Sequence, residues 1–482
     1  MNTPEVKWPA KAILSALAVL AGVSVTGAAA CDGGSNDVLA GAGPDGSSPS
    51  SRADGGGDGA ANPGPGTGPG EGNLSADRVS TMPLPLGAGL IANEDEAGLS
   101  PVIVSAAPDG TSRVAWRSAG VVHVTTVDGA DAGKDVQIAA NDLADLLATP
   151  TGGVVLITRD ATGGGVRNCG NPANLCGSPP DPPIPCFDQY IVGFDAGGER
   201  WATKLTTSSA SLPPYSTSRT GPTVFMTWWY AHHGRLATDG TNFAAYFADA
   251  VSVSEGGCIN IHQADRMKVV SATGALDGAS GFDLGCSHSG YERIVWDPRS
   301  SRFVTVCKTD NANRIAFSPT YATIKNVDLA YSNFGDFVVD PTAGGYWGIV
   351  SDARSGQPGG ANGLAEVHLL HFAAGVADTD LVVTTGAGQN ERAPHIARLG
   401  GDKLLVAWEE STAPGELAAG DPARRLWIQA RRASDGTAIG APLSVSGRGN
   451  RYQSLTAYPN GDVGMVVIGE GSRPELKRIR GF

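Results

Sequence analysis

The sequence predicts an all-β fold built from a repeated unit of four short strands. Apolar runs of strand length recur from about residue 85 to the end of the 482-residue chain, separated by Gly, Asp or Pro, and no long segment has the period of an amphipathic helix. The clearest runs are Arg113–Trp116, Val121–Val124, Val154–Ile157, Arg293–Trp296, Phe303–Val306, Phe337–Val339, Leu404–Trp408 and Val463–Val467.

A weak internal repeat narrows this class. Residues 97–118, 391–410 and 450–470 share a polar approach, a short strand, a Gly/Asp turn and a strongly apolar strand, and residues 293–310 and 336–352 are variants with an Asp-Pro turn. Four strands per unit, repeated roughly every 45 to 65 residues, is the plan of a β-propeller blade. Units that begin near 98, 141, 222, 289, 334, 391 and 450 predict about seven blades. A two-sheet sandwich array, or two smaller β domains divided near residue 220, is the alternative.

The two ends of this region predict how the ring closes. The last unit stops after its third strand, residues 475–480, whereas AGLIANEDEAGLSPVI resembles a fourth strand that leads into the next blade. We therefore expect Gly87–Asn93 to supply the outer strand of the last blade, pairing with residues 472–480, because this closure removes an exposed sheet edge.

The N-terminus predicts export. Lys7 and Lys11 precede an apolar run over Ala12–Val25 and a stretch of small residues that ends at Ala30, which is the layout of a signal peptide over residues 1–30. Cys31 follows at once and resembles the lipidated cysteine of the bacterial lipoprotein lipobox, although Ala28 stands where that motif usually has a larger apolar residue. The resemblance implies a cell-envelope lipoprotein of the inner or outer membrane. Simple secretion is the alternative.

Residues 31–80 are rich in Gly, Pro and Ser and contain almost nothing to bury. Such a segment cannot offset the entropy of ordering, so we expect a disordered, lipid-anchored linker that precedes a propeller domain over 81–482. The signal and the repeat together resemble secreted bacterial lipoproteins with a β-propeller domain, a loose resemblance that implies fold and location but no site residues. Neither a sialidase-type Asp box nor a WD signature is present.

The seven cysteines fit an oxidising compartment. Without Cys31 six remain, enough for three disulfides, and they fall into two odd groups: Cys169, Cys176 and Cys186, then Cys258, Cys286 and Cys307. If all six pair, at least one bridge joins the groups. The alternative is that one or two of them bind metal or stay free.

The formal net charge is −13, without any run of Lys or Arg. This composition excludes nucleic acid and anionic lipid headgroups as partners, because neither would meet a basic surface. The expected partners are a membrane, through the lipid anchor, and a protein, peptide or glycan ligand.

Residues 225–292 form a Cys/His-rich insert that holds four of the eight histidines. His232, His233, His262 and His288 are candidate ligands of a divalent metal, and hydrogen bonding to backbone is the structural alternative. The aromatic run Trp228, Trp229 and Tyr230 would stack on sugar rings or pack in the core.

Two further motifs point only weakly to catalysis. GCSHSG at 285–290 lacks the second Gly of a nucleophile elbow, since Ser289 stands there. Glu409 and Glu410 end an apolar strand and are interpreted as a solvated strand end, with one half of a glycosidase carboxylate pair as the alternative.

These observations favour a surface-anchored, non-catalytic binding propeller. An extracytoplasmic, metal-dependent hydrolase or lyase that uses the histidines of 225–292 is the alternative.

Overall fold

The computed structural model describes most of the chain beyond residue 72. The described residues are 73–84, 86, 102–118, 120–128, 131–160, 167–170, 176, 184–207, 225–226, 234–282, 292–308, 314–318, 325–328, 333–340, 342–353, 363–373, 377–384, 388–415, 417, 423–449, 455–469 and 473–482. Among them no helix is long and apolar enough to cross a bilayer.

The described chain begins with a short 3-10 helix, Ala76–Arg78, and continues almost entirely in strands. The first strand is β1 (Val79–Pro83). The first sheet contains β2 (Ile103–Ala106), β3 (Ser112–Ser118), β4 (Val121–Asp128), β5 (Asp131–Ala132) and β6 (Val136–Ala139). The second sheet contains β7 (Asp142–Ala148), β8 (Gly152–Asp160), β9 (Arg167–Gly170), β10 (Ile184–Asp195) and β11 (Gly198–Lys204). The third sheet contains β12 (Phe225–Met226), β13 (Gly234–Thr238), β14 (Asn242–Glu255), β15 (Cys258–Ser271) and β16 (Leu276–Phe282).

The remaining strands repeat the same meander. The fourth sheet contains β17 (Arg293–Asp297), β18 (Arg302–Lys308), β19 (Arg314–Ser318) and β20 (Lys325–Asp328), and the fifth contains β21 (Asn333–Val339), β22 (Tyr346–Ala353), β23 (Ala365–Phe372) and β24 (Thr379–Val382). The sixth sheet contains β25 (Asn390–Arg398), β26 (Lys403–Ser411), β27 (Arg425–Arg432) and β28 (Ala438–Val445). The last sheet includes β29 (Thr456–Ala457), β30 (Val463–Ile468) and β31 (Pro474–Ile479). Within the described residues they pair into seven antiparallel sheets of four or five strands.

The seven sheets pack in a ring. The inner strands β2, β7, β13, β17, β21, β25 and β29 each contact the next one, and β29 contacts β2. An apolar cluster lies between each pair of neighbouring sheets, including the last and the first, where Val466 and Leu476 pack with Val104 and Val114. Burial of both faces of every sheet explains why the apolar runs in the sequence are continuous. The predicted all-β propeller fold is confirmed.

The ring closes through a strand that precedes the predicted one. β1 pairs with β31 from Val79 opposite Ile479 to Pro83 opposite Glu475, so it is the outer strand of the last sheet. The other edge of β31 pairs with β30, which leaves no place on it for Gly87–Asn93. The assignment of closure to Gly87–Asn93 is therefore wrong, and those residues lie outside the described part of the chain. The anchors of β1 are Val79, which packs in the cluster of the last two sheets, and Met82 and Leu84, which pack against the first sheet.

The meander gives the ring two unlike faces. On one face, inner strands end in turns of a few residues, such as 107–111 between β2 and β3 or 239–241 between β13 and β14. On the other face, the inner strands begin. Some connections between consecutive strands on this face are much longer, such as 205–224 and 412–424. We call these the short-turn face and the long-connection face. Binding residues are often found on loops that a rigid scaffold holds in place, so we expect a binding site on the long-connection face.

Candidate functional site

Charged side chains on, or directly before, five consecutive inner strands form one group at the centre of the ring, where each of these strands contacts the next. We call this group the axial cluster: Asp145, Arg235, Glu292, Arg293, Asp336 and His395. Asp145 is half-buried, and the other five are buried. Groups of this kind are expensive to bury unless they are paired, so their partners define what the cluster can do.

Asp145 joins the second sheet to the third. Its carboxylate accepts the backbone N–H of Leu236 on β13 at 2.7 Å and the N–H of Leu146 at 2.9 Å. In return, Arg235 donates from Nη1 to the carbonyls of Gly234 at 2.7 Å and Ala144 at 3.5 Å. Inner strands have one unpaired backbone edge, and these side chains satisfy part of it.

Arg293, Asp336 and His395 join the fourth, fifth and sixth sheets. Arg293 donates from Nε to Asp336 at 3.0 Å and to the carbonyl of Gly335, and from Nη1 to the carbonyl of Glu292 at 2.9 Å. The second oxygen of Asp336 lies 2.8 Å from Nδ1 of His395. One carboxylate therefore contacts a guanidinium and an imidazole from the two neighbouring sheets.

The backbone is irregular at three of these positions. The pairing register shifts beside Asp145 on β7, around Asp336 on β21, and between Arg392 and His395 on β25. Ala393, within the last irregularity, has a positive φ of 50°. Bulges re-aim side chains and are common beside functional sites, and a left-handed alanine is strained. The fold therefore departs from regular strands where the cluster is built.

Burial dominates the electrostatics of the cluster. It raises the pKa of Asp145, which the guanidinium of Arg235 partly offsets. Burial, followed by the charge of Arg293, lowers the pKa of Arg235 to about 10, while Asp145, Asp336 and Glu292 oppose that shift. Arg235 thus interacts with charges on three other inner strands, which makes the cluster one electrostatic unit.

A disulfide stabilises the long-connection face. Cys176, between β9 and β10 of the second sheet, is bonded to Cys258 at the start of β15 in the third sheet. The backbone N–H of Cys176 also donates to the carbonyl of Ile259 at 2.8 Å. This bond joins the two cysteine groups, as the cysteine count predicts for complete pairing. It also fixes two neighbouring sheets to each other on the face that has the longest connections.

Most residues singled out from the sequence lie where the structure makes no statement about their side chains. His262 is on β15, opposite Val251, and Cys169, Cys186 and Cys307 are on β9, β10 and β18. The residues outside the described part are Cys31, Trp228, Trp229, Tyr230, His232, His233, Cys286 and His288. Among the described residues, no group of three or more His, Cys, Asp or Glu side chains is arranged to hold a metal ion.

Glu409 is buried, so its interpretation as a solvated strand end is wrong. Only 1% of it is exposed, and its carboxylate forms an ion pair with Arg424 and accepts the N–H of Gly449. Burial raises its pKa to about 8, and the hydrogen bond from Gly449 and the charge of Arg448 oppose that rise. Glu409 therefore ties two connections of the sixth sheet together.

Sequence reasoning missed the axial cluster, although a signal for it was present. Each repeat has a polar approach to its first strand, and Asp145, Arg235, Arg293 and Asp336 are charged residues within those otherwise largely apolar strands. A charge at the same point of several repeats indicates convergence once the repeats form a ring.

Comparisons with known proteins show likeness of fold at low identity. No family model matches the sequence, and no curated protein matches it. Among solved structures, the Dos1 propeller is 9% identical, with a TM-score of 0.42 over 81% of this chain and 82% of that one. A protein of unknown function from Dyadobacter fermentans is 10% identical, with a TM-score of 0.37 over 84% of this chain and 99% of that one. A puromycin-hydrolyzing peptidase from Mycobacterium tuberculosis is 12% identical, with a TM-score of 0.44 over 82% of this chain and 55% of that one.

Proposed function

We propose that this chain is a seven-bladed, non-catalytic binding propeller that recognises a protein, peptide or glycan on its long-connection face. Each of the seven sheets is one blade in this proposal. The chain is held at the cell envelope by lipid on Cys31, and the segment predicted as a linker acts as a spacer as far as Leu74, where the chain enters the fold.

The disulfide between Cys176 and Cys258 is the observation that carries the proposal. It joins excursions from two neighbouring sheets on a single face. A binding surface made of long connections loses affinity to the entropy of ordering them, and a covalent link reduces that loss before the ligand arrives. The short-turn face has no excursion of this length among the described strands.

The state of the acidic groups supports binding over catalysis. Asp145 accepts hydrogen bonds from backbone N–H groups of β7 and β13, and Asp336 accepts one from Arg293. Glu409 is held by Arg424 and Gly449. A general acid or base has to reach a substrate proton, and these carboxylates face protein donors from neighbouring strands.

The test is a screen of the purified, detergent-solubilised protein on glycan and peptide arrays, with and without EDTA. We expect saturable binding that resists EDTA and weakens when Cys176 and Cys258 are both replaced by Ser. Thr437→Ala, in a short turn on the opposite face, is the control that should leave binding unchanged.

Two outcomes would overturn the proposal. One is no binding to either array. The other is turnover of a glycan or peptide that EDTA abolishes, zinc restores and His262→Ala removes, which would establish the metal-dependent hydrolase or lyase instead.

A further inference from the structure

The bond between Cys176 and Cys258 limits how the other cysteines of the propeller region can pair. Four remain: Cys169, Cys186, Cys286 and Cys307. Four cysteines that all form disulfides can do so in three ways. One way pairs Cys169 with Cys186, and in each of the other two ways one of them is bonded to Cys307. The position of Cys307 therefore decides among the three.

Cys307 lies a whole sheet away from the first group of cysteines. It is on β18 of the fourth sheet, opposite Ala316 on β19, whereas Cys169 and Cys186 are on β9 and β10 of the second sheet. The third sheet lies between these two, since its inner strand β13 contacts both β7 and β17. Packed sheets are about 10 Å apart, and a disulfide spans a Cα separation of only about 4.4 to 6.8 Å. A bond from Cys307 to the second sheet is therefore too long.

The pairing of β9 with β10 brings Cys169 and Cys186 close to each other. Cys186 is opposite Arg167, which is two residues before Cys169. In a regular antiparallel ladder, residues related in this way are diagonal neighbours on one face, with Cα atoms about 7 to 8 Å apart. Cys169 and Cys186 therefore stand just beyond the reach of a disulfide in a regular ladder.

The ladder is irregular at Cys169 itself. Asn168 is opposite Pro185 and Gly170 is opposite Ile184, so Cys169 is the extra residue of a β-bulge. A bulge bends the strand that carries it. The irregularity thus falls at the residue that has to come about 1 Å closer to its diagonal neighbour for a disulfide to form.

We propose that Cys169 and Cys186 form a second disulfide, which closes the β9–β10 connection. The oxidant is the disulfide of a thiol oxidase in the export compartment. The Cys186 thiolate attacks that disulfide, and the Cys169 thiolate then displaces the oxidase from the mixed disulfide. Two electrons and two protons pass to the oxidase, whose disulfide becomes two thiols. This inference does not depend on the proposed binding function.

Peptide mapping without reductant tests the bond. The protein is produced with its signal peptide in an exporting host, and its free thiols are blocked with iodoacetamide before digestion. Trypsin yields a peptide 168–200 with Cys169, Cys176 and Cys186, and a peptide 236–266 with Cys258. We expect these two peptides to be joined to each other alone, without alkylation, and to be lighter by four hydrogen atoms than their reduced forms, because each disulfide removes two.

Variants assign the bond to its cysteines. In Cys176→Ser/Cys258→Ser, peptide 168–200 should still escape alkylation and be lighter by two hydrogen atoms than its reduced form. Cys169→Ser should expose one thiol, at Cys186, to alkylation. Cys307→Ser is the matched control, because it removes a cysteine of another sheet and should leave Cys169 and Cys186 protected.

Three results would overturn the inference. The first is alkylation of Cys169 and Cys186 in the wild type, and the second is a peptide 168–200 joined to a peptide that carries Cys286 or Cys307. The third is a free thiol at Cys169 or Cys186 in Cys307→Ser. The wild-type map decides the first two without any variant, so a variant that fails to fold does not affect them.

Discussion

Lys477 on β31 donates from Nζ to the hydroxyl oxygen of Thr81 on β1, across 2.9 Å, and so links the two ends of the folded chain. The same ammonium donates to Ser446 at 2.9 Å and to Glu475 at 2.8 Å, and Lys477 is fully buried. A buried lysine is tolerated only when each of its donors is met. The closure of the ring therefore combines a backbone ladder with one buried polar contact.

Replacing this lysine should weaken the closure. We expect Lys477→Met to lower the free energy of unfolding by about 3 kcal/mol, because Glu475 and two hydroxyls lose a buried cationic partner. Lys134→Met, which removes an exposed lysine that donates to the carbonyl of Ala196, should change stability by less than about 0.5 kcal/mol. Urea denaturation measures both. Equal stabilities of the two variants would contradict the assigned role.

Removal of β1 should have a larger effect than removal of everything before it. A chain that begins at Asn73 keeps Leu74, which is buried between the last two sheets, and should melt as the full chain does. A chain that begins at Gly87 exposes the free edge of β31, and we expect a lower melting temperature and concentration-dependent aggregation. Thermal melts with light scattering separate these outcomes, and identical curves for the two chains would show that β1 does not close the ring.

The fold could be predicted from the sequence because each sheet is buried on both faces. Runs such as Val154–Ile157 and Leu404–Trp408 are continuous and apolar, and turn residues mark their ends. The closing strand was misplaced because only Val79 and Met82 of β1 pack against apolar clusters, a weak pattern beside the stronger one near Gly87. An edge strand is defined by the partner it pairs with, which its own residues do not identify.

The axial cluster was missed for a different reason. Asp145 and His395 are 250 positions apart, and only ring closure places their strands around one axis. His and Cys residues are concentrated in 225–292 and so suggest a site there, whereas the charged residues of the axial cluster are spread over several repeats. The sequence predicted only part of the cross-sheet disulfide. Two odd groups of cysteines require a bridge between the groups if all six pair, but which two cysteines form it depends on which connections come together in the fold.

The anchoring proposal is tested by its cysteine. Cys31→Ser removes the thiol that the lipid would modify, so we expect the wild type to partition into Triton X-114 and the variant to stay in the aqueous phase or remain unprocessed. Intact-mass spectrometry should find acyl chains on an N-terminal Cys31. Ser35→Ala, four residues later, is a control that should not change partitioning. An unmodified N-terminus elsewhere would remove the anchor.

Acid should destabilise the fourth and fifth sheets through Asp297. Burial disfavours its ionised form, but hydrogen bonds from Arg299 and from the hydroxyl of Tyr346 at 2.6 Å outweigh burial and lower its pKa to about 2. Because the folded pKa lies below the usual 3.8, the ionised group stabilises the protein above pH 4, and this contribution is lost as the pH falls towards 2. It amounts to about 2 kcal/mol.

Unfolding free energies measured between pH 5 and pH 2 check this contribution. Asp297→Asn should be the less stable protein at pH 5 and should lose about 2 kcal/mol less than the wild type on acidification. Asp402→Asn, whose side chain is 53% exposed, should follow the wild-type pH dependence. Parallel curves for Asp297→Asn and the wild type would place the acid sensitivity elsewhere.

Gly335 allows the backbones of β21 and β25 to lie in close contact beside the axial cluster. A Cβ at this position would overlap the carbonyl oxygen of Pro394 on the neighbouring inner strand, and Gly335 also accepts a hydrogen bond from Arg293. We expect Gly335→Ala to cost at least about 2 kcal/mol, because β21 and β25 have to separate to admit the methyl group.

A matched glycine shows whether that cost is specific. Gly278 on β16 has open space where a Cβ would stand, so Gly278→Ala should be neutral or slightly stabilising through the unfolded chain. Separation of β21 from β25 would also move Asp336 away from His395, so the imidazole resonances of His395 should shift in Gly335→Ala and stay in place in Gly278→Ala. Equal melting temperatures and unchanged His395 resonances would mean that the two strands have room to spare, and the close packing assigned to the axis would be wrong.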